Sequence, residues 1–503
     1  MRVSERRTVS GLSEVAGARW FRTAIMLTGV VGAGVVLGGA GCGSADCSFD
    51  ATCLDPSDAS ADASVEFPPG CNPTGDLNGN LACVSGLIGI FVSSTQGNDV
   101  QNDGSRGAPF RSLERALPLY SRQRHRIYIC AGNYPSNLVI DAARSGVEIW
   151  GGLSCDWTTF TGERAKITAA DPSRPAVTWK GATSGKVRDV ELSAGDATQD
   201  GGSSIAAFAS GSTLDFVRVK LLAGNGKKAA NAILQPFTFF TADELKGNKA
   251  SDSGGGGQNS RQCQTPAQTT IGGKGGNSGA PGDRGLPEAP GTGTPGSVTS
   301  CGSGGTGGDG KKGDNGKDAL SIDVVGTLTS DNWTGRAGTD GEHGHPGQGG
   351  GGGGGNGGNG GGGGAGGCGG TGGPGGSAGG SSIALVSVSS RLNLVDSELE
   401  SGVAGDGGNG ARGQPGQPIG GGGGDRTGNA CNGGNGGAGG DGGAGGGGAG
   451  GISVGVVFSG EAPKLDTATQ TRIKTASQGG AAGAGGASGN PGIQGVARPT
   501  LAL

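Results

Sequence analysis

The chain has 503 residues, of which 120 are glycine and only 32% are hydrophobic, so any buried core is narrow for the length. Aromatics make up 4%, too few for a surface that stacks bases, and a formal charge of −4 argues against binding by phosphate neutralisation. Without the five Arg and two Glu of residues 1–41, 33 basic residues stand against 40 acidic ones, a charge of −7.

Arg19 and Arg22 precede the uncharged run 23–40, which ends in small residues before Cys42. A positive flank, an apolar middle and a small-residue exit are the three parts of an export signal. The run also has about the length of a membrane helix, although its many glycines weaken that reading. Gly39-Ala40-Gly41-Cys42 resembles a bacterial lipobox, with Gly39 where that family prefers Leu. The resemblance implies lipidation of Cys42 and attachment to a membrane through the lipid. Ordinary signal-peptidase cleavage is the alternative. Gly43 in place of Asp is compatible, in such lipoproteins, with transfer to the outer membrane, facing the surface or the periplasm.

Besides Cys42 there are ten cysteines, an even number that suits disulfides in an oxidising compartment. Neighbours in sequence suggest Cys47 with Cys53, Cys71 with Cys83, Cys130 with Cys155, Cys263 with Cys301 and Cys368 with Cys431, although sequence alone does not fix connectivity. None has the tight paired spacing of a zinc site, and there are three histidines. No metal residue and no cofactor is assigned.

Residues 42–86 are poor in apolar residues and read as a cysteine-containing tether. The body, 87–252, opens with a strand at Ile88 and a short amphipathic helix from Pro109, with Phe110, Leu113, Ala116 and Leu117 on one face. Strands follow at Arg126–Cys130 and Asn137–Ile140, separated by a turn at Ala131–Tyr134. Gly97, Asn98, Asp99, Gly104, Pro109, Phe110, Ser112, Leu113, Ala116, Leu117, Ile127, Ile129, Gly132 and Tyr134 together resemble the opening of the pectin-lyase-like right-handed parallel β-helix superfamily. The resemblance covers roughly 88–167 and speaks for fold, hardly for activity. Trp150-Gly151-Gly152…Trp157 resembles a segment of glycine-rich (PGRS-like) bacterial surface lipoproteins. The two tryptophans are either a sugar-stacking platform or, more plainly, aromatic cover beside a Cys130–Cys155 bridge.

Residues 203–226 return at 381–401 with 8 identities in the first 19 positions, and 187–196 align with 216–225, 29 residues on. Each copy has two short apolar-alternating runs, a kink and a small-residue exit, the pattern of a β-solenoid rung that must stack on copies of itself. Leu214, Phe216, Val219 and Leu221 are expected inside, with Leu392, Leu394, Ser397 and Leu399 as their counterparts. The expected fold is therefore all-β, a right-handed parallel β-helix with long glycine-rich insertions from one edge. A weaker rung is read at 230–248. Tracts fill 253–450, interleaved with rungs at 319–336 and 381–401, and 451–503 holds the last rung and a tail.

The tracts contain short Gly-x-y runs that stop after three or four triplets, too irregular for collagen. Two states remain open: disorder, because nothing offsets backbone entropy, or a bundle of extended polyglycine helices stapled by cysteines. Candidate chemistry is sparse. Asp189, Glu191, Asp215 and Lys220 lie on neighbouring rungs, Arg472-Ile473-Lys474 matches one element of polygalacturonase-like hydrolases, and His343-Gly344-His345 sits in a tract. The Asp-Asp pair, the Gly-His-Gly and the Arg-x-Pro-x-x-Arg of β-helix hydrolases and lyases are missing. Residues 313–321 resemble one RTX nonapeptide, leaving calcium weakly supported. The expected function is non-catalytic surface binding to polysaccharide or matrix. A polysaccharide lyase or glycoside hydrolase on the same fold is the alternative.

Overall fold

The computed structural model describes residues 65–181, 184–264, 268–487 and 490–503. From Arg126 the chain lays down one strand in each of three parallel sheets, in a fixed order. Arg126–Cys130, Asn133–Ser136 and Leu138–Asp141 form one circuit, and Glu148–Leu153, Ala165–Ala169 and Val177–Lys180 the next. Gly185–Arg188, Val190–Ala194 and Ser204–Ser210 follow, then Thr213–Val217 and Lys220–Ala223. The cycle resumes across long insertions at Ser382–Val388, Arg391–Val395 and Glu398–Ser401, and again at Ser453–Ser459. Gly89–Val92 begins the first sheet, and Ala497–Ala502 ends the third.

Stacking puts like residues in columns. Ile90, Ile127, Ile149, Val187, Phe216, Leu394 and Leu465 are in register on the first sheet. Tyr134, Ile167, Leu192, Leu221, Leu399 and Ile473 do the same on the second. These columns meet in one core, with Trp179 edge-on to Phe216 at 5.5 Å. Burying each such side chain contributes about 1.5–3 kcal/mol. The 29- and 178-residue offsets of the repeat are the strand registers themselves, and Leu214, Phe216, Val219 and Leu221 are all buried. Ser397, the polar member, is buried too: its Oγ accepts from Val219 N at 3.2 Å and donates to Val395 O at 3.0 Å.

The kink in each copy is a left-handed residue. Asp189, Arg218 and Asp396 (φ 50–55°) turn the chain from first to second sheet in successive circuits. Ser112 caps a shorter helix than expected, Leu113–Ala116, and Phe110 lies before it, bridged to Val92, although all the expected face residues are buried.

Every glycine-rich insertion, taken whole, leaves after a second-sheet strand and returns at a third-sheet strand, so all emerge at one corner. There they form an ordered bundle, which decides between the two open states. Gly338, Gly341, Gly344, Gly347, Gly350 and Gly353 donate N–H to the carbonyls of Gly376, Gly373, Gly370, Gly367, Gly364 and Gly361 at 2.8–2.9 Å. Gly405, Gly408, Ala411, Gln414 and Gln417 bond in the same way to Gly380, Ser377, Pro374, Thr371 and Cys368. The step of three is that of polyproline II, which makes no internal hydrogen bonds and must find them in neighbours.

Two expected rungs belong elsewhere. In 319–336, Gly326–Leu328 and Trp333–Gly335 pair antiparallel as a hairpin covering the third sheet's outer face, where Trp333 packs with Ile205, Phe208 and Val457. Alternation of apolar residues is common to both structures, so the pattern misleads. Residues 230–248 run along the bundle apart from one turn of helix at Ala242–Leu245. The section read as tether is in part packed: Leu77, Cys83 and Val84 join a second core with Tyr128 and Trp150.

Cys71–Cys83 and Cys130–Cys155 pair as expected. Cys263, however, bonds Cys368, and Cys301 bonds Cys431, correcting the pairings drawn from proximity. Bundle topology is the reason. Gly307, Gly310, Gly313 and Gly316 run parallel to 432–441 by hydrogen bonds at every third residue, which brings Cys301 to Cys431. Crosslinks closing loops of this size stabilise by about 4–5 kcal/mol on a chain-entropy model. Cys42, Cys47, Cys53 and the run 23–40 lie outside the described residues. Among the described residues no helix is long and apolar enough to cross a membrane.

Within the five-glycine run 420–424 the positions are not equivalent. A Cβ on Gly421 would stand 1.8 Å from Leu245 O, whereas on Gly422 it would meet only Asn435 Oδ1 at 3.8 Å. We expect Gly421→Ala to cost about 1–3 kcal/mol and Gly422→Ala to leave stability unchanged, read as the difference between their thermal midpoints. Equal midpoints would contradict this packing.

Candidate functional site

The outer face of the second sheet carries charges in register. Lys166, Glu191, Lys220 and Glu398 occupy one row across four strands, and Glu400 and Lys474 share the next. Parallel neighbours stand about 4.8 Å apart, so Glu191 sits between two lysines. Beside this row the left-handed corner adds a second line of charge. Arg218 donates to both oxygens of Asp189 (2.6 and 2.7 Å) and pairs with Asp76 at 2.6 Å. Arg164 donates to Glu398 at 3.1 Å and to Arg218 O at 2.9 Å, and Arg472 pairs with Asp396 at 2.5 Å.

A cavity of about 330 Å3 opens here, lined by Glu163, Arg164, Lys166, Asp189, Glu191 and Arg218. Its charges balance. Burial pushes the Asp189 carboxyl up, opposed by the two hydrogen bonds from Arg218, whose guanidinium is held all the more firmly charged by the same pair. Such a groove offers dense donors and acceptors to hydroxyl groups without selecting a net charge.

The structure brings together some of the residues expected to form a site. Asp189, Glu191 and Lys220 share this face. Asp215 does not: it lies on the first sheet, in register with Lys186 and Asn393, and accepts from Asn393 Nδ2 at 3.2 Å. Arg472 and Lys474 border a smaller cleft with Glu398 and Glu400. His343 Nδ1 accepts from Gly372 N at 3.0 Å inside the bundle. In the RTX-like stretch, Asn315 and Asp318 accept from Asp441 N (2.9 Å) and Ala444 N (2.6 Å), so these side chains fasten neighbouring bundle strands. Among the described residues no cluster of His, Cys, Asp or Glu is placed to hold a metal.

Trp150 and Trp157 are buried, 1% and 3% exposed, so the platform reading gives way to cover. Trp157 packs edge-on against Phe91 at 4.9 Å. Trp150 lies between the guanidinium groups of Arg126 and Arg188, 4.6 and 4.7 Å from its ring. The Trp150 indole and Arg126 Nε both donate to Glu148 Oε2, at 3.0 and 2.8 Å, and Lys186 pairs with Oε1 at 2.9 Å. Sequence reasoning missed this cluster, whose only trace is one charged residue per strand at a fixed position.

No protein-family model, no curated protein and no solved structure matches the chain. The functional reading therefore rests on these residues.

Burial raises the Glu148 carboxyl, but Arg126, Lys186 and the Trp150 indole outweigh it and hold the group below its ordinary value. A depressed carboxylate gives stability that is complete above the unfolded value of 4.5 and lost as pH falls through the folded one. Glu148→Gln, which leaves Arg126 buried without its counter-charge, is expected to cost about 3–5 kcal/mol at neutral pH. The gap from wild type should narrow in acid, as chemical denaturation at pH 7 and pH 3 would show.

Proposed function

We propose that the three parallel sheets wind as a right-handed parallel β-helix of the pectin-lyase-like kind, and that the chain is a non-catalytic polysaccharide-binding lipoprotein of the outer membrane anchored through Cys42. The observation that carries the binding reading is the groove at Arg164, Lys166, Asp189, Glu191 and Arg218. Its acids Asp189 and, beside it, Glu398 are already held by arginines. Carboxylates so engaged position guanidinium groups for hydroxyl recognition and lack the freedom of a general acid–base pair. The four disulfides among the described residues suit an exported protein.

The full chain should co-sediment with an insoluble polysaccharide from a panel of acidic and neutral polymers. Arg164→Ala combined with Lys166→Ala should weaken that binding at least fivefold, and no new reducing ends should appear. Wild-type binding retained in the double variant would reject this groove. Cleavage of the polymer is the second reading, favoured by the raised Asp189 carboxyl next to Glu191. Reducing ends released by wild type and lost in Asp189→Asn would establish it. For the anchor, Cys42→Ala should move the protein out of the membrane fraction; unchanged fractionation would sink the lipid.

A further inference from the structure

From Ala165–Ala169 to Ile473–Lys474, the outer face of the second sheet carries one sign of charge per strand, and the sign alternates along the stack. Ala165–Ala169 presents Lys166, Val190–Ala194 presents Glu191, and Lys220–Ala223 presents Lys220. Glu398–Ser401 presents Glu398 and Glu400, and Ile473–Lys474 presents Lys474. The corner before each of these strands repeats the sign of the strand it feeds: Arg164, Asp189, Arg218, Asp396 and Arg472. The order is therefore plus, minus, plus, minus, plus in two parallel columns. Glu163, in the loop before Arg164, departs from it.

The corner column is spent on the protein itself: Arg218 holds Asp189, Arg472 holds Asp396, and Arg164 reaches across to Glu398. Lys166 and Glu191 take part in none of these pairs, and Lys220 reaches Glu400 only at 3.6 Å. The strand column is thus the part left to meet a ligand. Two cavities open on it, one of about 330 Å3 over Lys166 and Glu191, the other of about 240 Å3 among Glu398, Glu400, Arg472 and Lys474. With parallel neighbours about 4.8 Å apart, the five strands span about 19 Å and like charges recur about every 9.6 Å.

We propose that this strip selects a linear polysaccharide in which an acidic sugar alternates with an uncharged one. The proposal rests on polysaccharide binding at this face and names the class of polymer. A hexose in an extended chain advances by about the spacing of parallel strands, so a chain lying along the stack sets one residue on each strand. Carboxylates on alternate residues then fall on the strands of Lys166, Lys220 and Lys474. The hydroxyl or acylamino groups between them fall on the strands of Glu191 and Glu398, whose carboxylates accept hydrogen bonds. A polymer with a carboxylate on every residue would set every second one against an acid, and like charges so placed are penalised. A neutral polymer leaves the lysines without a counter-charge. Spacing, and not net charge, does the selecting.

The test titrates the full chain, by calorimetry, with three oligosaccharides of equal length: an alternating glucuronate–N-acetylglucosamine oligomer, oligogalacturonate and a neutral glucan. The alternating oligomer should bind at least tenfold more tightly than either of the others. Glu191→Gln combined with Glu398→Gln removes the negative strands' charge and keeps hydrogen-bond acceptors in place. That variant should bind oligogalacturonate at least fivefold more tightly than wild type does. Lys220→Gln should weaken the alternating oligomer at least fivefold and bind the neutral glucan as wild type does. Should the Glu398 change loosen Arg164 and spoil folding, Glu191→Gln alone still decides. Equal wild-type affinity for the two acidic oligomers, or a preference unchanged in the Glu→Gln variants, would overturn the proposal. Binding that Arg164→Ala with Lys166→Ala abolishes, but that shows no preference for alternation, would remove this inference and leave the groove. No binding of any polymer would remove both.

Discussion

A polyproline II strand has no internal partner for its N–H groups, and in this protein each such strand must give every third one to a neighbour. That requirement fixes the composition. Neighbouring backbones approach closely enough to bond only where there is no Cβ, so the third residue of each triplet facing another strand is glycine over most of the buried bundle. The glycines lose more conformational entropy on ordering than any other residue. The lattice of backbone bonds and the Cys263–Cys368 and Cys301–Cys431 crosslinks offset that loss. Asn and Asp side chains supply further bonds, as where Asp406 and Asn409 accept from Ala481 N and Ala484 N at 2.8 Å.

The bundle and the sheets solve one problem in two ways. In the sheets, apolar columns are buried at a spacing set by parallel pairing, and left-handed corners at Asp189, Arg218 and Asp396 keep each circuit in phase with the last. In the bundle there is almost nothing apolar to bury, and hydrogen bonds set the phase. The two meet at the corner between the second and third sheets. There Gly226 donates to Val403 O, and Ser381 Oγ accepts from both Trp333 Nε1 and Ile452 N. The charged groove draws on the sheets and their connecting loops, without the bundle.

What the sequence discloses follows from where side chains carry information. The strand registers were legible because residues 203–221 and 381–399 share identities at buried positions, and the Trp150–Trp157 cover was legible from its proximity to Cys155. The disulfides of the tracts were not. A run such as 349–355 is indistinguishable from itself shifted by a triplet, so nothing in it says that Cys301 faces Cys431 rather than Cys263. The hairpin at Trp333 has the alternation of a rung but pairs with itself. A pattern at spacing three was visible in retrospect: Asp309, Asn315 and Asp318, each at the third place of a triplet, fasten the strand 126 residues on.

The antiparallel pairing of 338–353 with 361–376 also constrains how such a protein changes length over generations. Removing one residue from one arm would turn every later glycine away from its neighbour, whereas removing a whole triplet from each arm would shorten the pair and leave all remaining contacts in phase. Viable descendants of this gene should therefore differ in their tracts by steps of nine nucleotides, matched between partner arms. The parallel sheets, whose corners close independently of what is inserted there, would be inherited with little alteration.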